Sequence, residues 1–290
     1  MIHRKKIPVI LGIFAMGIGL VLSGCTAGVN PGQENEIAEK GDGGDYIPIS
    51  STRADLDTAW EEAVEIDLSL TDREYTITDA GDYLLSGSLE GNLYVDAEEQ
   101  IVHLIFNHVD IRSRSGPAIH VKSAGKVIIT LADGSSNTVQ DSMYHRGKDE
   151  GDAAIYSQCD LTVNGTGSLT VYGDYADGIH SKDVVKLLGG EISVRAKNNA
   201  VQGNDGLLVN VASLAVECEG SGLRSTKSGK EDKGTIDISG GQISIIAGEY
   251  AVSSARDLYM RNCSFWSNAV LGELNAAGDR YLAEGCMENG

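Results

Sequence analysis

The chain has 290 residues, with 23 Lys and Arg against 42 Asp and Glu, a formal net charge of −19. So acidic a balance excludes nucleic-acid binding and argues against charge-driven docking on an anionic membrane surface. Three Phe and four Pro suit a core of small aliphatic stacks, and the five Cys form neither a metal signature nor a disulfide framework by spacing, so their pairing state stays open.

Residues 1–24 read as a targeting segment. Arg4, Lys5 and Lys6 precede an apolar run of 16 residues, 7–22, which leads into Leu22-Ser23-Gly24-Cys25. Small residues before a Cys resemble the bacterial lipoprotein signal, in which Cys25 is lipidated and becomes the new N-terminus. A plain secretory signal ends in an Ala-x-Ala site, and the run is short for a membrane-spanning anchor. A diacylglyceryl thioether with an N-acyl chain anchors stably. The expected localisation is therefore export, with lipid attachment to the outer face of the bacterial cytoplasmic membrane. Removal of the segment leaves 20 basic against 42 acidic residues, or −22. Residues 25–52, rich in Gly, Glu, Asp and Ser, read as a flexible tether. Leu56, Ala59, Trp60, Ala63 and Val64 stand at helical spacing and predict a short amphipathic helix over 55–64. It belongs to an N-terminal cap, 53–74, that covers the open apolar end of a repeat domain; a ligand role for Trp60 is the weaker alternative.

Strand-like runs begin at Tyr75. Segments 75–78, 83–86, 93–95 and 102–106 alternate or cluster apolar residues between Gly, Asp and Asn turns. Residues 134–151 are polar, hold His145, Arg146 and Lys148, and read as a projecting loop of the kind that often carries function. A phrase then repeats. Asp152-Ala-Ala-Ile-Tyr-Ser157 returns as Asp177-Gly-Ile-His-Ser-Lys-Asp183, as Asn199-Ala-Val-Gln-Gly203 and as Gly222-Leu-Arg-Ser225. The anchors Ile119, Ile155, Ile179, Val201, Leu223 and Val252 are 36, 24, 22, 22 and 29 residues apart, the long gaps holding insertions at 134–151 and 227–234. A period of about 22 to 24 residues marks stacked repeats. Each repeat holds three strand-like segments, as in 178–181, 184–188 and 191–196, parted by Lys182-Asp183 and Gly189-Gly190. A leucine-rich repeat has a similar period, but its Leu-x-x-Leu-x-Leu-x-x-Asn signature and its helix are missing from this sequence. The expected fold is all-β: a parallel β-helix with three short strands per coil over 75–267, a short N-terminal capping helix, and a C-terminal cap or tail over 268–290.

Stacked repeats turn sequence columns into spatial rows about 4.8 Å apart. The anchor column points inward. The next column, His120, Tyr156, His180, Gln202 and Arg224, then Ser253, points outward and forms a polar, partly aromatic row on which an extended ligand can lie. The third, Val121, Ser157, Ser181, Gly203, Ser225 and Ser254, points inward again, with hydroxyls able to hydrogen-bond along the stack. Carboxylates crowd the turns: Asp152, Asp160, Asp174, Asp177, Asp183 and Asp205. Asp183 and Asp205 share a position in successive repeats, and like charges that close repel unless neutralised. Calcium takes roughly six to eight oxygen ligands, so Asp152, Asp174, Asp177, Asp183 and Asp205 are candidate Ca²⁺ ligands; plain solvated turn residues are the alternative. No pair of carboxylates is singled out as a glycosidase pair, and no nucleophile–His signature occurs. Lys182, Lys186 and Arg195 are the available bases for a Ca²⁺-dependent lyase, and solvated surface positions are the simpler reading of them.

The run Thr76-Ile-Thr-Asp-Ala-Gly-Asp-Tyr-Leu-Leu-Ser-Gly-Ser-Leu89, then 102–111, Leu131-Ala-Asp-Gly-Ser-Ser-Asn-Thr138, Ala153-Ala-Ile-Tyr-Ser157 and Asp177-Gly-Ile-His-Ser-Lys-Asp183 resembles a clostridial family of carbohydrate-binding-domain-containing proteins that look like pectate-lyase β-helices. The resemblance spans about 75–266. It implies a right-handed parallel β-helix, bound calcium, and binding of plant cell-wall polysaccharide such as cellulose or polygalacturonate without established lyase activity. Asp177 and Asp183 match the family phrase best and Asp152 less closely, while Asn199, Ser221 and Tyr250 stand where Asp is expected. The functional expectation is a cell-surface polysaccharide-binding lipoprotein, monomeric and held to the membrane through its lipid only. The alternatives are a calcium-dependent pectate lyase and a structural or adhesive surface protein.

Overall fold

A computed structural model describes residues 49–60, 62–145, 151–230 and 232–286. The expected signal segment, Cys25 and nearly all of the tether lie outside the described residues. Two parallel sheets carry the fold. The smaller has nine strands in the order Glu74–Ile77, Asn92–Asp96, Ile119–Ser123, Ala153–Ser157, Asp177–Ser181, Val201–Gly203, Leu223–Arg224, Tyr250–Ser254 and Gly272–Ala276. The 22-residue period sets its register. Ile119 faces Ile155, then Ile179, Val201, Leu223 and Val252 in turn. All six are fully buried in one continuous core. The third column also falls in register, Val121 to Ser157 to Ser181 to Gly203. Its hydroxyls are satisfied by backbone: Ser157 and Ser181 both donate to the Cys159 carbonyl at 2.7 Å, and Ser225 and Ser254 both donate to the Gly234 carbonyl at 2.6 and 2.8 Å. A serine there costs the core no unpaired polar atom.

The larger sheet corrects the expected right-handed β-helix of three separate strands per coil. Its 14 strands include three long ones, Ile101–Arg112, Gly206–Cys218 and Thr235–Ala247, each of which runs through both of the positions that are separate strands in other repeats. Ile101–Arg112 pairs with Lys126–Leu131 through its first half and with Ser136–Gln140 through its second. Gly206–Cys218 likewise pairs with Val184–Leu187 and with Glu191–Ala196. The pairing path therefore returns on itself and closes eight strands into a parallel β-barrel, with the nine-stranded sheet as a second layer. Eight strands enclose an interior that side chains alone can fill; alternate residues such as Val127, Ile129, Leu161, Val163, Val185, Leu187, Leu207 and Val209 belong to the core. The expected segments end at every Gly or Asp separator. A register shift at Asn210 lets the strand bend and continue instead.

Both ends differ from expectation. The helix is four residues long, Arg53–Leu56, capped by Thr52 in a reciprocal capping box with Asp55, and Val64–Asp67 is a strand paired with Gly81–Leu89. Leu56 is exposed, while Asp55 is fully buried. The segment is held by a polar anchor and not by an apolar face. Lys126 Nζ and Thr162 Oγ1 donate to Asp55 Oδ1 at 2.8 and 2.7 Å, Lys186 Nζ donates to Oδ2 at 2.8 Å, and Asn164 Nδ2 donates to the carbonyls of Asp55 and Asp57 at 3.0 Å. At the other end the repeat continues past 267: Gly272–Ala276 extends the nine-stranded sheet and Arg280–Leu282 pairs with Leu258–Met260. The expected loop over 134–151 contains a barrel strand, Ser136–Gln140, and its residues 146–150 lie outside the described residues.

Candidate functional site

The second column stands in register across the nine-stranded sheet, Tyr94 to His120 to Tyr156 to His180 to Gln202 to Arg224. Its rings form a ladder: Tyr94–His120 at 6.0 Å, His120–Tyr156 at 5.4 Å and Tyr156–His180 at 5.3 Å between centroids, the last two edge-on. Such tilted and edge-to-face contacts are the favourable ones between rings. The ladder is covered, however. His120, Tyr156 and His180 are buried, and only Tyr94, Gln202 and Arg224 are half-buried. Gly151, at φ 88°, lies so close over Tyr156 that a β-carbon there would sit 2.4 Å from the ring. Lys122 covers Tyr94 with its ammonium 3.9 Å from the ring centroid.

His180 links the ladder to a pair of carboxylates. Its Nδ1 lies 2.5 Å from Asp152 Oδ1 and 3.7 Å from Asp177 Oδ2. One ligand atom from each of the three residues falls within 4.8 Å of the others. Asp177 opens its strand and is buried; Asn198 Nδ2 and the Asn199 backbone and Nδ2 donate to its Oδ1 at 2.8, 2.9 and 3.2 Å. Burial first, and then the Asp152 charge, push the Asp177 carboxyl up to about 6. Burial acts to raise Asp152 too, but its hydrogen bond and ion pair with His180 hold it below the ordinary value. On the far side Gln202 Nε2 lies 3.0 Å from His180 Nε2 and donates to Asn204 Oδ1 at 3.0 Å. Asn199 donates to Gln202 Oε1 at 3.0 Å, and Arg224 reaches Asn199 Oδ1 at 3.5 Å. The polar members of the column are thus wired to the acid group.

The five carboxylates expected to hold calcium fall into three places. Asp152 and Asp177 converge, and as hard oxygen donors they fit a calcium ion that takes its remaining oxygens from water and ligand. His180 adds a nitrogen that calcium does not favour. Asp183 and Asp205 stack as expected, but their neutralising charge comes from the chain: Lys227 Nζ sits 2.5 Å from Asp205 Oδ1 and 3.8 Å from Asp183, and Lys233 pairs with Asp205 Oδ2. Burial acts against Asp205 ionising, yet these two lysines keep its carboxyl below the ordinary range. A cation does not fit between carboxylates already so paired. Asp174 lies apart and accepts a hydrogen bond from Gln140 at 2.7 Å. Of the candidate bases, Lys186 is buried on Asp55, Arg195 forms an exposed pair with Glu217, and Lys182 is exposed with its charge acting on Asp152. The sequence does not single out Asn199, Asn204, Lys227 or Lys233 as site residues. Asn199 was legible as the residue in the Asp177 column, and the lysines as the basic content of the 227–234 insertion.

The family model for carbohydrate-binding domain-containing proteins matches residues 71–285. A carbohydrate-binding domain-containing protein of Acetivibrio thermocellus is 33% identical over 226 residues, covering 76% of this chain and 79% of the relative. Among solved structures, the polysaccharide lyase-like protein from C. thermocellum, in a gadolinium derivative, superposes with a TM-score of 0.72 at 30% identity, covering 78% of this chain and 98% of that one. The chain belongs to the family of carbohydrate-binding domain-containing proteins.

Proposed function

We propose that the protein is a polysaccharide-binding module, lipid-anchored through Cys25 on the outer face of the cell membrane, that holds its glycan without cleaving it. The observation that carries this reading is the family match over 71–285, which takes in nearly every strand of both sheets. The ligand class is plant cell-wall polysaccharide of the cellulose or polygalacturonate kind. Charge constrains the choice. A chain at −22 repels a polyuronate, so uronate binding requires a bridging cation. Asp152 and Asp177 are the residues that would hold Ca²⁺. The bound calcium would supply charge neutralisation and a fixed contact for a uronate carboxylate, while the chain's own Asn199 and Gln202 orient the acid group.

The test is affinity electrophoresis of the full chain through gels containing polygalacturonate, xylan or a soluble cellulose derivative, each with calcium and with EDTA. Retardation by a uronan that disappears in EDTA supports the bridged reading. Equal retardation in both sinks the calcium role, and migration unaffected by any glycan sinks the carbohydrate reading. A second reading, a calcium-dependent lyase, is favoured by the exposed Lys182 beside Asp152, placed as a base for a sugar C5 proton. Release of unsaturated uronides, followed by ultraviolet absorbance, distinguishes it.

A further inference from the structure

The aromatic ladder is too well covered to offer a ring face to a sugar, yet a different ring is built to do so. Tyr175 lies in the turn between Ser168–Gly173 and Asp177–Ser181 and is 44% exposed. One of its faces is occupied: the His145 imidazole stacks on it at 3.9 Å between centroids and 11° between planes. With one face backed by a parallel ring, nearly half of the residue stays open to solvent.

The backing ring has a partner at each nitrogen. His145 Nε2 lies 3.2 Å from Asp141 Oδ2, with both side chains buried, and His145 Nδ1 is 2.9 Å from the Gly151 carbonyl. The same Asp141 carboxylate holds the ring that rests on the imidazole: its Oδ1 accepts from the backbone N–H of Asp174 at 2.6 Å and of Tyr175 at 3.4 Å. One buried carboxylate therefore fixes both layers of the stack. A tyrosine that only tolerated exposure would need no such support. A flat ring held in place in advance is what stacking on a ligand ring requires, because little side-chain freedom is lost on binding.

Gly151 also ties this stack to the acid group. Its backbone covers Tyr156, and the next residue is Asp152. The platform is therefore one hydrogen bond from the segment that carries the carboxylate paired with His180.

We propose that Tyr175, backed by His145, is a stacking subsite for one pyranose ring of a polysaccharide, next to the Asp152–Asp177–His180 group. The ring is uncharged and sequence-tolerant toward sugars: it takes the C–H face of a pyranose whether or not C6 is a carboxylate. This inference rests on the carbohydrate-binding reading above and deepens it by naming where the sugar face sits.

The experiment compares Tyr175→Ala, Tyr175→Phe and the parent, all as full chains, by titration with cello-oligosaccharide and with oligogalacturonate in calcium. Tyr175→Ala is expected to weaken binding of whichever glycan the parent takes by about tenfold, the loss of one stacked ring. Tyr175→Phe, which keeps the ring, stays within about twofold, a small fraction of that loss. A readout on the unmodified chain runs alongside: nitration of Tyr175, followed by peptide mass spectrometry, slows when the glycan is bound. Binding by Tyr175→Ala equal to the parent, or nitration unaffected by glycan, overturns the platform while leaving the module reading intact. A parent chain that binds neither glycan overturns both.

Discussion

Removing the carboxylate of Asp55 is the sharpest test of how the N-terminal segment is held. In Asp55→Asn the helix cap and the Asn164 bonds to backbone carbonyls remain possible, but Lys126 and Lys186 lose their common counter-charge. Both ammonium groups lie 2.8 Å from a carboxylate that is 0% exposed. Breaking a buried ion pair from one side costs about 3 to 5 kcal/mol, because the remaining charge stays desolvated. For a domain of this size that corresponds to a fall in Tm of about 6 to 20 °C. Burial alone would raise the Asp55 carboxyl, but hydrogen bonds from the two lysines outweigh it and hold it far below the usual carboxylate range. A carboxyl depressed on folding stabilises at every pH above its ordinary value of 3.8 and loses that contribution as pH falls below it. The parent should therefore lose stability more steeply than Asp55→Asn on acidification below pH about 4. The assay is thermal unfolding by circular dichroism across pH, with Asp55→Leu/Lys126→Met/Lys186→Met as the companion that removes all three charges and recovers most of the loss. A single Asn variant within about 0.5 kcal/mol of the parent at neutral pH, the range of an ordinary surface change, would refute the anchor.

Asp177 has the opposite sign. Its carboxyl is raised on folding, to about 6, so the folded state binds that proton more tightly than the unfolded chain. Stability in EDTA should rise by about 1 kcal/mol as pH drops from 7 to 5, and Asp177→Asn should remove the rise; the same Tm slope in the variant refutes the assignment. Lys227→Met/Lys233→Met leaves Asp183 and Asp205 facing each other without their built-in cations. That variant should lose stability in EDTA and regain it on calcium titration by more than the parent does. A calcium response no larger than the parent's contradicts the neutralising role.

What the sequence exposed was the part of the fold that repeats. Ile119, Ile155, Ile179, Val201, Leu223 and Val252 align by eye and pair in space, because a one-residue slip would turn every one of them out of the core. The ring column followed from them. Closure of the barrel did not, because it depends on whether a Gly pair between two runs breaks a strand or bends it, and Gly189-Gly190, where a strand ends, and Gly240-Gly241, which a strand runs through, differ there without a local signature. The stacked Asp183 and Asp205 were legible as a charge problem; that Lys227 and Lys233 solve it depends on where an insertion folds back. In the sequence Asp55 is only the first residue of the expected 55–64 helix, since a buried carboxylate anchored by lysines 71 and 131 positions away leaves no periodic trace. Tyr175 belongs to no column and was passed over for the same reason.

The register of the nine-stranded sheet bears on how two molecules can meet. Its first strand, Glu74–Ile77, and its last, Gly272–Ala276, lie on the same ladder, with Tyr75 and Leu274 in the anchor column. Another copy added end to end in that register would bring Glu273 directly opposite Glu74, both exposed. Two carboxylates would then face each other across about 4.8 Å, a repulsive cross-strand pair. Filament growth through this sheet is discouraged by its own edge residues.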